Sequence, residues 1–224
     1  MMASGVLSSD APRVVELHQG QGVERTRAES YLEAEYARAF GGRIRNHYPM
    51  LMSVTGGDDQ VLAAAGFRLA SAGPLFLEQY LDEPVEAAIA RRLDKPIARD
   101  GVVEIGNLAS AGPCASRILF SALAAHLQLL GATHAVATAT RQLRRSFQRI
   151  RFPVAYLAKA EAERLAHGAA DWGAYYGRDP QVVVGPIGDA VPALRAGVIV
   201  AEAVAARLAR RAGARFGGQP QAAP

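Results

Sequence analysis

Two polar side chains interrupt an apolar segment near the middle of the chain. Residues 102–108 read VVEIGNL, so Glu104 and Asn107 stand within a predicted β-strand. A carboxylate there costs free energy unless it is paired or hydrogen-bonded. Two interpretations are open: Glu104 is a general base that takes a proton from a reacting group, or it is a structural carboxylate paired with an arginine such as Arg68. Asn107 either orients a reacting carbonyl group or caps the strand.

The alternation of a β-strand places Glu104 and Asn107 on opposite faces unless the strand contains a bulge. Gly106 is a natural bulge site, because glycine tolerates a distorted backbone. A bulge would also free a backbone N–H group, which could then donate to a developing oxyanion. A bulge at Gly106 is therefore the condition for Glu104 and Asn107 to act at one site.

A loop of small residues, ASAGPCASR over 109–117, follows this strand and precedes an apolar helix. Ser116 is predicted to cap that helix. Backbone N–H groups at a helix N-terminus bind phosphates and oxyanions. If a phosphate binds here, Ser116 and Arg117 are its predicted ligands; otherwise Ser116 is only a cap and Arg117 is a solvated residue. If the loop binds phosphates or oxyanions, the chain is a group-transfer enzyme.

Cys114 is the single cysteine, which excludes an internal disulfide and a zinc site made of thiolates. A thiolate near a helix N-terminus is activated, but no histidine base lies near it in sequence. We therefore interpret Cys114 as a small loop residue and expect no acyl-enzyme. The five histidines lack the spacing of metal ligands, and no metal site is predicted.

The composition is that of a globular protein, with 50% hydrophobic and 21% charged residues and a net charge of +4. Arginines cluster at 141–151 and 207–215 and suit phosphates, an acidic protein or an anionic membrane surface. No nucleic-acid-binding signature is present. The N-terminus does not resemble a secretory signal, and no apolar run reaches the ~18 residues of a membrane span. We expect a cytoplasmic protein.

The order of predicted elements favours a mixed sheet in an α/β fold. Strands at 50–55 and 61–70 form a hairpin, whereas the strand–helix–strand run over 102–139 requires a parallel, right-handed crossover. Further strands are predicted at 154–157 and 181–187. Helices are predicted to begin at a Thr26–Glu29 capping box and at Asp82, and to cover 117–130, 140–150, 159–167 and 189–212.

Four blocks of the sequence match, in order, a known family. LFLEQYLD (75–82), EIGNLAS (104–110), the pattern TATxxLRxxF (138–147) and WGAYYGRDPQVVVGPI (172–187) resemble the thermostable hemolysin family over about 25–187. This family is similar in turn to the GNAT acyltransferase superfamily and to acyl-homoserine-lactone synthases. The resemblance implies a mixed, partly splayed β-sheet flanked by helices. The pantetheine arm of an acyl donor would lie in the gap, with its phosphates on the loop after the central strand.

The resemblance also implies an activity, that of an N-acyltransferase that moves an acyl group, expected to be fatty, from a thioester to a small amine. It implies no permanently bound cofactor, since acyl-coenzyme A or an acyl carrier protein would enter as co-substrate. The residues expected to act are catalytic Glu104, Asn107 and Arg68; donor-binding Leu108, Ala109, Ser110, Gly112, Ser116 and Arg117; and substrate-binding Glu78, Trp172, Tyr175 and Tyr176, of which the aromatic three would line an acyl or acceptor pocket. For the three aromatic residues the alternative is a place in the core, and for Glu78 it is an exposed position on a helix.

The donor loop departs from the Arg/Gln-x-x-Gly-x-Gly/Ala pattern of ordinary acetyltransferases. Residues 111–117 contain one glycine, and Pro113 lacks an N–H donor. The donor is therefore open between coenzyme A and an acidic acyl carrier protein, which outward-facing arginines would complement.

We predict one domain with tails. The predicted units are a flexible tail (1–12), the acyltransferase domain (13–188), a C-terminal helix (189–213) and a disordered tail (214–224). The family name indicates a second function, that of a hemolysin acting directly on bilayers. The Ala/Val-rich C-terminal helix, with arginines at its end, would then lie at a lipid surface.

Overall fold

The computed structural model describes residues 14–149 and 152–188 of the 224-residue chain. The predicted tails and C-terminal helix lie outside these residues. The strands are β1 (Val14–Gln19), β2 (Met50–Thr55), β3 (Val61–Leu69), β4 (Val102–Ser110), β5 (His134–Ala139), β6 (Ala155–Lys159) and β7 (Gln181–Pro186). The helices are α1 (Val23–Phe40), α2 (Val85–Leu93), α3 (Pro113–Leu129) and α4 (Arg141–Arg149).

The strands form one mixed sheet in the order β1-β2-β3-β4-β5-β7-β6. β1 to β4 form an antiparallel meander, β4 and β5 are parallel, and β7 is antiparallel to both β5 and β6. α1 and α2 cover one face of the sheet, and α3 and α4 cover the other. This is the predicted α/β architecture, a mixed sheet flanked by helices. Within the described ranges no helix has the length and hydrophobicity needed to cross a bilayer.

The sheet opens between β4 and β5. The two strands pair only where Val102–Glu104 lie beside His134–Val136, although β4 continues for six more residues and β5 for three. Residues 102–104 are buried, whereas every residue from 105 to 110 is partly exposed. Because β4 is the central strand, this exposure shows a gap beside it.

Three predicted helix starts are wrong. The helix expected to begin at Asp82 begins at Val85. α1 begins at Val23, where Gly22 precedes it, and the Thr26 hydroxyl donates back to the Gly22 carbonyl at 3.0 Å instead of capping. α3 begins at Pro113, three residues before the predicted cap at Ser116. Proline suits the first helical position, because an N–H group there has no intrahelical acceptor.

Two further differences have tertiary causes. The predicted helix over 159–167 is absent, since Lys159 pairs with Gln181 at the end of β6 and only the short 3₁₀ turn Ala162–Arg164 follows. Strand pairing here overrides local helix propensity. β1 had no strong sequence signal, and its pairing with β2 as an edge strand defines it.

The loop before β7 contacts the end of α1 at Gly173. Its φ is 51°, and the Ala174 N–H donates to the Phe40 carbonyl at 2.7 Å. A Cβ atom at Gly173 would lie 2.8 Å from the Gly41 carbonyl carbon, a separation that real Cβ atoms do not show.

We therefore expect Gly173→Ala to lower the free energy of unfolding by about 2 kcal/mol or more, because it combines an unfavourable φ with a backbone clash. Gly177→Ala is the matched control, since nothing lies within 4 Å of a Cβ atom there. Urea unfolding of both variants measures the difference. Equal midpoints for the two variants would contradict this packing.

Candidate active site

Glu104 is buried in β4, with 1% of its surface exposed. Its Oε2 accepts the backbone N–H of Phe76 at 2.8 Å, and its Oε1 accepts that of Leu77 at 2.9 Å. Both N–H groups belong to the start of the 3₁₀ turn Phe76–Tyr80. The carboxylate therefore attaches this turn to the centre of the sheet.

Arg68 lies opposite Glu104 in the β3–β4 register. The ion pair that would make Glu104 purely structural is not among those formed by the described residues. Instead, Arg68 Nη1 donates to the Pro74 carbonyl at 3.1 Å, and the guanidinium carbon lies 5.9 Å from the Tyr48 ring centroid. Arg68 thus retains donors that can bind an acceptor.

Burial raises the pKa of Glu104 above its ordinary value. Hydrogen bonds from the N–H groups of Phe76 and Leu77 and from the Tyr48 hydroxyl oppose this increase, as does the charge of Arg68. A carboxylate with a raised pKa is a stronger base near neutral pH.

β4 contains a bulge immediately after Gly106, the position that the sequence offered for one. Gly66 pairs with Gly106 and Ala64 with Ala109, so Asn107 and Leu108 together stand opposite one residue of β3. Asn107 adopts a left-handed conformation with φ 47°, which asparagine tolerates better than most residues. Alternation resumes beyond it in the opposite phase, as in other β-bulges.

The bulge presents two N–H donors. The Asn107 Nδ2 atom is buried and has no hydrogen-bond partner among the described residues. The Leu108 backbone N–H faces the Tyr36 hydroxyl, whose pKa is raised to about 12 by burial. Unpaired buried donors are costly, which indicates that Asn107 is oriented for an acceptor atom.

The donor loop offers fewer free N–H groups than predicted. The Ala111 N–H donates to the Leu62 carbonyl, and the Gly112 N–H donates to the Ser110 hydroxyl. Ser116 uses both its N–H and its hydroxyl to bond the Gly112 carbonyl.

The N–H groups of Cys114 and Ala115 thus remain in the first turn of α3, where helix geometry provides no acceptor. The side chain of Arg117 is exposed beside them. With two free N–H groups, the start of α3 suits a single anionic group better than the pyrophosphate of coenzyme A.

The three aromatic residues predicted to line an acyl or acceptor pocket form one cluster with the end of α1. Trp172, Tyr175 and Tyr176 lie 5.2–5.9 Å apart by ring centroids, and Tyr175 also packs on Phe40 at 5.2 Å. The Tyr175 hydroxyl donates to the Thr138 carbonyl at 3.0 Å, on the part of β5 that has left β4. The cluster is therefore well packed, and it also walls one side of the gap.

Glu78 has a structural position, and the expectation of an exposed helix carboxylate is wrong. It accepts the N–H groups of Leu75 and Val85 and binds Arg99 at 2.7 Å. Hydrogen bonding to Arg99 lowers the pKa of Glu78 from 4.5 to about 2. These contacts leave it no role towards an amine that the geometry supports.

Sequence reasoning missed the tyrosines that surround Glu104. Tyr48 lies over Gly66 and Gly106, and the Tyr80 hydroxyl lies 2.5 Å from that of Tyr176. The sequence signal for Tyr48 was the pair of strand glycines, Gly66 and Gly106. Their position opposite each other depends on a strand register that the sequence does not show.

A surface cavity of about 880 Å³ lies between α1, the β2–β3 turn and the β4–α3 loop. Thr26, Tyr31, Gln60 and Ala111 are among its lining residues. It reaches the donor loop but is not lined by Glu104.

Comparison with known proteins identifies both the family and the fold. The family model described as thermostable hemolysin matches residues 18–191. No curated protein sequence matches the chain.

Three solved structures share the fold. TofI, in a ternary complex with an inhibitor and MTA, is 15% identical with a TM-score of 0.56, covering 81% of this chain and 96% of TofI. FeeM, an N-acyl amino acid synthase from uncultured soil microbes, is 14% identical with a TM-score of 0.54, covering 86% and 98%. MesI, a CoA-dependent acyl-homoserine lactone synthase, is 12% identical with a TM-score of 0.51, covering 83% and 95%.

The Glu78–Arg99 pair predicts an acid-dependent loss of stability. Because the folded-state pKa of Glu78 is depressed, its contribution is present above about pH 4.5 and is lost as the pH falls towards about 2. We expect Glu78→Gln to lower the free energy of unfolding by roughly 1–3 kcal/mol at pH 7. The difference from wild type should shrink steadily below pH 4.5.

Urea unfolding across pH measures this difference, with the exposed Glu163→Gln as control. If the difference in unfolding free energy between wild type and Glu78→Gln stayed constant from pH 7 to 2.5, the ionised carboxylate of Glu78 would not be the source of that difference.

Proposed function

The chain belongs to the thermostable hemolysin family, and on that premise we propose that it is an N-acyltransferase that moves an acyl group from a thioester to an amine. The observation that carries this proposal is the gap between β4 and β5, which opens beside the bulge at Asn107. An extended thioester arm would lie along the unpaired side of β4.

The thioester carbonyl oxygen would accept a hydrogen bond from Asn107 Nδ2, because the Leu108 N–H already faces the Tyr36 hydroxyl. The Asn107 donor gains strength as negative charge develops on that oxygen. The amine attacks the carbonyl carbon, the new C–N bond forms, and the C–S bond then breaks. The thiolate leaves and takes up a proton, so no acyl-enzyme is required.

Glu104 would receive the proton that the amine loses. Since the carboxylate is 1% exposed, transfer would pass through a water molecule or a neighbouring hydroxyl. Its raised pKa supports this role.

Arg68 would bind a carboxylate on the acceptor. Its guanidinium lies beside Glu104 in the register and has a planar arrangement of donors suited to carboxylates. We therefore propose an amino acid or a similar amine as acceptor, a class that agrees with the activity in the name of FeeM.

The donor-side geometry favours an acyl carrier protein over free coenzyme A. The start of α3 offers two N–H groups, and Arg117, Arg145 and Arg149 are exposed on α3 and α4. An acidic carrier would be attracted to such a surface. The aromatic cluster of Trp172, Tyr175 and Tyr176 along the gap supports a fatty acyl chain.

We expect Glu104→Gln to lower amide formation roughly a hundredfold to ten-thousandfold, because it removes the base. Mass spectrometry of the protein with acyl thioesters and amino acids measures the product, with Glu163→Gln as control. Full activity in Glu104→Gln would contradict the role of Glu104. Lysis of liposomes without any thioester, and no amide under any condition, would favour the hemolysin.

We expect Arg145→Glu to lower kcat/KM for an acyl carrier protein donor about fivefold at low salt, because it opposes association with an acidic partner. The value for acyl-coenzyme A should change little. Arg92→Glu, an equal charge change on α2 at the opposite face, is the control. Equal losses with both donors would exclude this surface as the carrier site.

A further inference from the structure

Tyr48, in the loop between α1 and β2, lies flat on the sheet above two glycines. A Cβ atom at Gly66 would lie 2.7 Å from the Tyr48 Cβ, and one at Gly106 would lie 2.6 Å from its ring. Gly66 and Gly106 are register partners on β3 and β4, and neither has a positive φ. Both positions therefore need glycine to leave space for the ring.

The backbone of Tyr48 is also held in place. Arg25, near the start of α1, donates to the carbonyls of Tyr48 at 2.9 Å and Pro49 at 3.0 Å. Glu29 binds Arg25 at 2.8 Å and fixes its side chain. The ring is thus positioned from above by α1 and from below by the sheet.

The Tyr48 ring lies next to Glu104. Glu104 and Gly106 lie on the same face of β4, and the ring covers Gly106. A hydrogen bond from the Tyr48 hydroxyl lowers the pKa of Glu104. Arg68 faces the carboxylate from β3, Tyr80 faces it from the 3₁₀ turn, and the N–H groups of Phe76 and Leu77 bind it.

We propose that Tyr48 is a positioning residue for Glu104: seated on Gly66 and Gly106, its hydroxyl donates to the carboxylate and keeps it ionised and oriented for proton transfer. This inference rests on the proposed function, since it assigns the partner of the same base. Tyr48 remains a neutral donor, because burial raises its own pKa well above the ordinary value.

The consequence for pH is specific. A donor to the ionised form of a carboxylate lowers its pKa, so removal of the Tyr48 hydroxyl raises the pKa of Glu104 further. A base must be deprotonated to act, so the rising limb of the pH profile then moves to higher pH. A purely structural loss would instead lower activity equally at all pH values.

The test measures kcat/KM of Tyr48→Phe as a function of pH. The substrate concentration used in kcat/KM is that of the neutral form of the amine. We expect the rising limb to move up by roughly one to two pH units, with activity largely restored at high pH. Gly106→Ala should give a similar shift by displacing the ring, and Tyr48→Phe/Gly106→Ala should add little to either. Tyr156→Phe, on the exposed edge strand β6, is the control.

A second measurement is independent of activity. NMR titration of protein labelled with ¹³C at glutamate carboxyls follows Glu104 directly, assigned by the resonance lost in Glu104→Gln. We expect its midpoint to rise in Tyr48→Phe and not in Tyr156→Phe.

An unchanged midpoint in Tyr48→Phe, with an unchanged pH profile, would overturn the inference. A raised midpoint in a protein that forms no amide would support the Tyr48–Glu104 contact while contradicting the proposed function.

Discussion

The separation of β4 from β5 after Glu104 is the constraint on which the rest of the structure depends. A parallel pair that parts in the middle of a sheet leaves backbone groups without their usual partners, and buried backbone groups need partners. The chain meets this need with side chains: Tyr36 faces the Leu108 N–H, and Tyr175 donates to the Thr138 carbonyl. The remaining donors, above all Asn107 Nδ2, are left for a ligand.

Two carboxylates hold the segment that follows β3. Glu104 binds the N–H groups of Phe76 and Leu77, while Glu78 binds those of Leu75 and Val85 and pairs with Arg99. The same segment therefore orients Glu104 and closes the acceptor side of the sheet. Glu104 thus combines a structural role with a proposed chemical role. The ordered 3₁₀ turn keeps its carboxylate fixed without a direct ion pair.

The local features of this site could be predicted from the sequence. Alternation in VVEIGNL places Glu104 and Asn107 on opposite faces, so a bulge was the condition for both to act at one site, and the structure has that bulge after Gly106. The sequence could not give the positions of Tyr48 and Arg99, because both depend on register and tertiary contacts. Gly112 before α3 and Pro113 at its first position outweighed the capping tendency of Ser116. Glu78 was misjudged because its partner, Arg99, is distant in sequence.

The most direct measurement follows the backbone amides of β4 while a non-hydrolysable acyl thioester analogue binds, with a methylene group in place of sulfur. Two-dimensional ¹H–¹⁵N spectra report each amide separately. The account predicts saturable shifts centred on Asn107 to Ser110 and on 137–139 of β5, along the two sides of the gap. Saturable binding with shifts confined to other surfaces, or no shift at Leu108 at saturation, would contradict a thioester site between these strands.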